Sequence, residues 1–171
     1  MKATGVVRRI DELGRVVIPK EIRRSLRIKE GDPLEVYIQD GCVVYKKYSP
    51  LNELQEFAQK YAEVLHTVTH YIAVVSDNDK IIAVAGTAKR FFMGKPIWNL
   101  ALSVIEERKT LTSTAEKVQE EFGYFAQIAT PIIYEGEVVG VIGLITNDVV
   151  RDTDCALLEA ASMFLAKQIE L

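Results

Sequence analysis

Nine basic side chains stand within the first 29 residues: Lys2, Arg8, Arg9, Arg15, Lys20, Arg23, Arg24, Arg27 and Lys29. Only Asp11, Glu12 and Glu21 oppose them, so the segment carries a net charge of +6. Six of the nine are arginine. A guanidinium is planar, always charged and forked, and it matches phosphate oxygens and base edges better than an ammonium does. The chemistry of such a set is recognition of a polyanion, and double-stranded DNA is the partner its density fits. On a helix turning about 100° per residue, Lys20, Arg23, Arg24 and Arg27 share one arc. Ile22 and Leu26 fall opposite, where they can enter a core. The four charges repel one another with almost no acid between them. A negatively charged partner relieves that repulsion. The candidate contacts are Arg8, Arg9, Arg15, Lys20, Arg23, Arg24 and Arg27.

Other reactive residue types do not assemble into a site. His66 and His70 are four apart, a spacing two metal ligands on one helix would have. No third ligand is evident, and no metal is expected. Cys42 and Cys155 form no CxxC motif, so free thiols are expected. Cys155 sits at a helix start among acids, which raise a thiol's pKa rather than activate it. Gly136, Gly140 and Gly143 lie in a strand pattern, not before a helix. They make no phosphate loop, and close backbone packing is the better reading. No catalytic set and no cofactor follow from these residues. The aromatic cluster Phe91, Phe92, Met93 and Trp98 has two readings, a ligand pocket or a core. It singles out no ligand-binding residue.

The elements that must position these residues fall into two modules. Residues 1–50 hold 11 Lys/Arg against 7 Asp/Glu, a net +4, while residues 51–171 hold 10 against 17, a net −7. A sign change along a chain points to modules with different partners. In the first, Gly5–Ile10 and Arg15–Ile18 read as short strands around an Asp11–Gly14 turn. Pro19 fits the first position of a helix that runs from Lys20 to Leu26. Leu34–Gln39 and Cys42–Tyr48 read as strands joined by the hairpin turn Asp40-Gly41. Fifty such residues bury little alone. A two-fold dimer doubles both the core and the arginines, and its halves match the halves of a DNA site.

Ser49-Pro50 marks the boundary. Beyond it Leu51, Leu54, Ala58, Tyr61, Leu65 and Val68 form a heptad-like seam. That seam packs either on its own domain or against another chain. Strands are predicted at His70–Ser76, Lys80–Ala85, Phe125–Tyr134 and Glu137–Thr146. Helices are predicted around Ile97–Ile105 and over Asp152–Ile169, the latter with a stripe of Leu157, Leu158, Ala161, Phe164 and Leu165. The second module is therefore α+β with an antiparallel sheet.

The stretch Lys2–Ile28, KATGVVRRIDELGRVVIPKEIRRSLRI, resembles the AbrB family of transition-state regulators. The similarity continues through Gly31-Asp32-Pro33-Leu34-Glu35 to Lys46-Lys47-Tyr48, so it covers essentially residues 1–50. The resemblance implies a swapped-hairpin dimer that binds DNA through Arg8, Arg15, Arg23 and Arg24. Arg9 stands where the family also tends to be basic. Antitoxins of the related looped-hairpin type are usually shorter. The run Ala129–Ile145, ATPIIYEGEVVGVIGLI, resembles the closing hairpin of GAF domains and is the distinctive part of residues 51–171. That resemblance implies a regulatory domain that pairs dimers into a tetramer and senses a small-molecule effector.

The expected fold is thus a β-rich, AbrB-like swapped-hairpin domain over 1–50 followed by an α+β GAF-like domain over 51–171. The expected function is transcription regulation without catalysis. The alternative is a small-molecule sensor acting mainly through protein partners; an enzyme of GAF fold is a third reading. No apolar run is long enough for a membrane helix and no signal peptide is evident. The expected location is the cytoplasm, at the nucleoid.

Overall fold

The computed structural model describes residues 5–87, 89–119 and 123–169. Lys2, counted in the basic segment, lies outside them. The chain divides into two compact units, Met1–Tyr48 and Ser49–Leu171.

In the first unit, helix α1 spans Lys20–Ser25 with Pro19 as its N-cap. Pro19 thus sits one position earlier than expected, where its fixed φ still suits the helix start. Strands β1 (Leu34–Gln39) and β2 (Cys42–Lys47) pair antiparallel, with Gln39 opposite Cys42. Asp40 and Gly41 between them have φ of 50° and 74°. Two left-handed residues in succession make the primed turn that an Asp-Gly pair favours. Lys47 ties the hairpin back to the rest of the unit. Its ammonium lies 3.4 Å from the Asp32 carboxylate and donates to the Arg27 carbonyl.

Two expectations for this unit fail in the single chain. Gly5–Ile10 and Arg15–Ile18 form no strand there; Asp11 N–H donates to the Arg15 carbonyl across the turn, and the ladder goes no further. A strand needs a partner for its backbone groups, and no described segment of this chain supplies one. Val7 is left 88% exposed and Val17 71%. The face of α1 expected to enter a core does not do so. Ile22 is half-buried, Leu26 is exposed, and no residue of α1 is fully buried.

The second unit is a five-stranded antiparallel sheet with helices on both faces. Its elements are α2 (Pro50–Glu53), α3 (Gln55–Thr69), β3 (Ile72–Ser76), β4 (Ile81–Ala85), α4 (Lys89–Phe92), α5 (Asn99–Glu107), β5 (Leu111–Gln119), β6 (Gly123–Tyr134), β7 (Glu137–Thr146) and α6 (Asp152–Ile169). The strand order is β4-β3-β7-β6-β5. A sheet buried on both faces reads as unbroken apolar runs, as β3, β4 and β7 do. Alternate residues still divide between two cores. Ala73, Val75, Ile142 and Leu144 face α3 and α6, packing on Ala58, Leu65, Leu158 and Leu165. Val74, Val141 and Ile145 face the other way, onto Phe92, Trp98, Leu100 and Val104.

The helix expected from Leu51 to Val68 is broken at Leu54, whose φ and ψ are −95° and 20°. Most of the seam serves its own domain: Leu51, Ala58 and Leu65 are buried in this unit's core, while Val68 is exposed. The sheet edge at β4 is closed by side chains of α3. Gln59 both donates to the Val84 carbonyl and accepts from the Val84 N–H, and Gln55 donates to the Ile82 carbonyl. An edge occupied in this way cannot template another strand.

Gly136, Gly140 and Gly143 divide into two kinds. Gly136 is a turn residue with φ of 78° and open space around it. A Cβ on Gly140 would overlap the Ser76 carbonyl oxygen and the Leu51 side chain, and one on Gly143 would stand 2.9 Å from Trp98 Cζ2. Overpacking against backbone costs at least about 1–3 kcal/mol. Gly140→Val should therefore lower the urea midpoint of the full chain severely. Gly136→Ala, strained only in its backbone, should lower it by much less. Equal losses would refute the close-packing reading.

Candidate nucleic-acid interface

The basic residues of the first unit fall into two groups. Arg8, Arg9 and Arg15 flank the Asp11–Gly14 turn, and all three are exposed. The turn is built by Asp11. Its Oδ1 accepts the N–H groups of Leu13 (3.0 Å) and Arg15 (2.8 Å), and its Oδ2 accepts Arg15 Nε–H at 2.7 Å. Gly14 donates back to the Asp11 carbonyl with φ of 76°. The Arg15 backbone N–H, then its side chain, holds the Asp11 carboxyl below its ordinary pKa. An aspartate bonded to the backbone two residues on is a common turn device.

Lys20, Arg23 and Arg24 make the second group, on one arc of α1. Lys20 and Arg24 are exposed; Arg23 is half-buried, and its Nε has no acceptor among the described residues. Arg27 leaves the arc. The helix ends at Ser25, and Arg27 follows with φ of 53°. A six-residue helix cannot carry the fourth charge that a regular continuation would have aligned. Arg27 is exposed beside the hairpin, its carbonyl bonded to Lys47.

The remaining candidates lie in the second unit. His66 Nδ1 lies 2.7 Å from the Tyr71 carbonyl oxygen. His70 is the left-handed C-cap of α3, so the two histidines do not share a helical face. Among the described residues no three His, Cys, Asp or Glu side chains gather as a metal site. Cys42 and Cys155 are free thiols. Burial is the chief cause that raises the Cys155 pKa; Asp152, Glu159 and Asp154 add to it. The aromatic cluster is largely core, with Phe92 and Trp98 buried. Trp98 Nε1 is buried without an acceptor among the described residues.

Two features escaped the sequence reading. One is the anchoring of Arg15 by Asp11, for which the Asp at the head of a Gly-closed turn was the available signal. The other is the part that Phe57, Val64 and Met163 play in an outward apolar face on α3 and α6, beside the expected seam and stripe residues Tyr61, Val68 and Phe164. Phe164 is 41% exposed and stacks on Phe57 and Tyr61 at 5.7 and 5.2 Å. Val64 (56%), Val68 (65%) and Met163 (65%) are also exposed.

A basic hairpin module followed by a two-faced α+β sheet unit defines a transcription factor of AbrB type with a GAF-fold C-terminal domain. The comparisons with known proteins agree. The family model described as "Stage V sporulation protein T C-terminal, transcription factor" matches residues 53–170, and "Antidote-toxin recognition MazE, bacterial antitoxin" matches residues 7–51. The chain is 42% identical over 177 aligned residues to stage V sporulation protein T of Bacillus subtilis (strain 168), covering 99% of each. Fifty residues are 60% identical to the transition state regulatory protein AbrB of the same organism, 29% of this chain and 52% of that one. The GAF domain of an Acinetobacter phosphoenolpyruvate-protein phosphotransferase superposes with a TM-score of 0.57 at 14% identity, covering 68% of this chain and 82% of that one. The last shows the fold alone. The chain belongs to the stage V sporulation protein T family. No helix among the described residues is long and apolar enough to cross a membrane.

Proposed function

We propose that this transcription factor binds double-stranded DNA as a homodimer through residues 1–50, acting in the cytoplasm at the nucleoid. On this reading residues 51–171 join dimers into a tetramer and tune them through a small-molecule effector. The observation that carries the DNA reading is the exposed basic set, Arg8, Arg9 and Arg15 at the Asp11 turn and Lys20, Arg23 and Arg24 on α1. Arg27 adds charge beside it. The dimer is supported by what the single chain leaves uncovered: Val7, Ile10, Val17, Leu26 and Ile38 are each more than half exposed. A second copy supplies both the missing ladder partners and the missing core. The outward face of α3 and α6 supports the tetramer.

Titration of the full chain with duplex DNA at 50 and 200 mM salt tests the first part. A protein neutralising six to ten phosphates loses about 10³–10⁵ in affinity over that interval. The twofold-repeated basic set should place this chain in that range. Binding that is absent at 50 mM, or indifferent to salt, refutes the reading.

A further inference from the structure

We infer that Asp11 is a positioning residue for Arg15, holding its guanidinium at the turn so that DNA meets a pre-set fork. The inference rests on the DNA-binding reading of residues 1–50. Both carboxylate oxygens of Asp11 are turned on the residues that follow it. Oδ1 takes the N–H groups of Leu13 and Arg15, and Oδ2 takes Arg15 Nε–H at 2.7 Å. The backbone closes the same turn twice more, from Asp11 N–H to the Arg15 carbonyl and from Gly14 N–H to the Asp11 carbonyl. These contacts fix where the Arg15 side chain starts and how its guanidinium is oriented. With Nε engaged, the two terminal nitrogens remain for an acceptor, on a side chain that is 71% exposed.

Stability does not explain the pair, because exposed ion pairs contribute little. Coulomb attraction to DNA does not explain it either, because a carboxylate beside the arginine repels phosphate at every sequence alike. Orientation does. An arginine held in its bound geometry loses less side-chain freedom on binding, and a fixed fork discriminates among acceptor arrangements where a swinging one does not. Asp11 should therefore weaken general attraction slightly and sharpen selectivity.

The test uses the full chain, a duplex enriched from a random-sequence pool by the wild type, and an unselected duplex of equal length. Asp11→Asn keeps an oxygen for the backbone N–H groups and removes the charge-assisted bond to Nε. It should weaken binding to the enriched duplex about tenfold and change the unselected one less than about twofold. In an Arg15→Ala background the same substitution should change either duplex less than about twofold. Arg15→Lys keeps the charge, lacks Nε, leaves Asp11 in place, and should lose the same selectivity. The positioning role is overturned if Asp11→Asn tightens both duplexes alike, with or without Arg15. It is equally overturned if Arg15→Lys or Asp11→Asn discriminates as the wild type does. A wild type that binds neither duplex in a salt-dependent way overturns the DNA reading as well.

Discussion

An Arg23→Ala, Arg24→Ala double variant should bind DNA at least about a hundredfold more weakly than the wild type and unfold at the same denaturant concentration. Each arginine that meets a base edge contributes about 1–3 kcal/mol. Two independent losses therefore sum to about 2–6 kcal/mol, and every 1.4 kcal/mol is tenfold. Where the contacts are to phosphate, the slope of affinity against salt should flatten by about one for each lost arginine. The fold should survive for reasons visible in α1. Arg24 is exposed, and the buried Arg23 Nε has no acceptor among the described residues that its removal would orphan. A dimer carries each arginine twice, so the effect per chain is doubled in the complex. Fluorescence anisotropy at two salt concentrations, with a urea titration of the same samples, reads both halves. Unchanged affinity would return the α1 arc to an ordinary solvated surface.

The second module was legible where apolar pattern and turn chemistry agree. Glu137–Thr146 and Asp152–Ile169 are predicted and observed with the same bounds. β5 (Leu111–Gln119) was missed because LTSTAEKVQ holds few apolar residues, as a strand at the sheet edge can. α4 (Lys89–Phe92) is too short for a helical period to show. The heptad-like seam left two partners open, the chain's own domain or another chain, and the structure decides for the first at most of its positions. Leu51, Ala58 and Leu65 do repeat on one face, but a repeat of that kind records burial, not the partner that buries it. Here the partner is the chain's own sheet.

The first module was legible in its turns and its charge and not in its pairing. Asp40-Gly41 and Pro19 act locally, so their neighbours decide the outcome. The β-branched residues of Gly5–Ile10 and Arg15–Ile18 carry strand propensity, yet a strand is a property of two segments. The arc of four charges assumed a helix through Arg27. Its end at Ser25 takes Arg27 out. No pattern in the basic residues announced that Arg15 is tied to Asp11, because a side chain's partner is set by the turn's geometry rather than by charge alone.

Val64→Glu together with Met163→Glu should convert the protein from tetramer to dimer without unfolding either unit. The seam residue Leu65 is the wrong place to test assembly. It is buried against the sheet, and a carboxylate there would destroy the domain before it touched any interface. Val64 and Met163 are each more than half exposed, on α3 and α6, beside the Phe57–Tyr61–Phe164 stack. In the proposed tetramer, two such helices from each of two chains would make a four-helix contact covering the stack. Two glutamates from each chain would have to be desolvated inside it, at a cost of several kcal/mol. Light scattering should then report dimers for the variant and tetramers for the wild type at tens of micromolar; a wild type that is already a simple dimer sinks the idea. The variant's dimers should still bind a single site, since Arg8, Arg15, Arg23 and Arg24 are untouched. On DNA carrying two sites they should lose the gain of effective concentration, about 10²–10⁴ in affinity. On the proposed reading, the same contact would give an effector in the GAF-fold domain a route to the DNA. A ligand that changes how α3 and α6 pair need shift the assembly by only about 1–3 kcal/mol to change occupancy of paired sites severalfold or more.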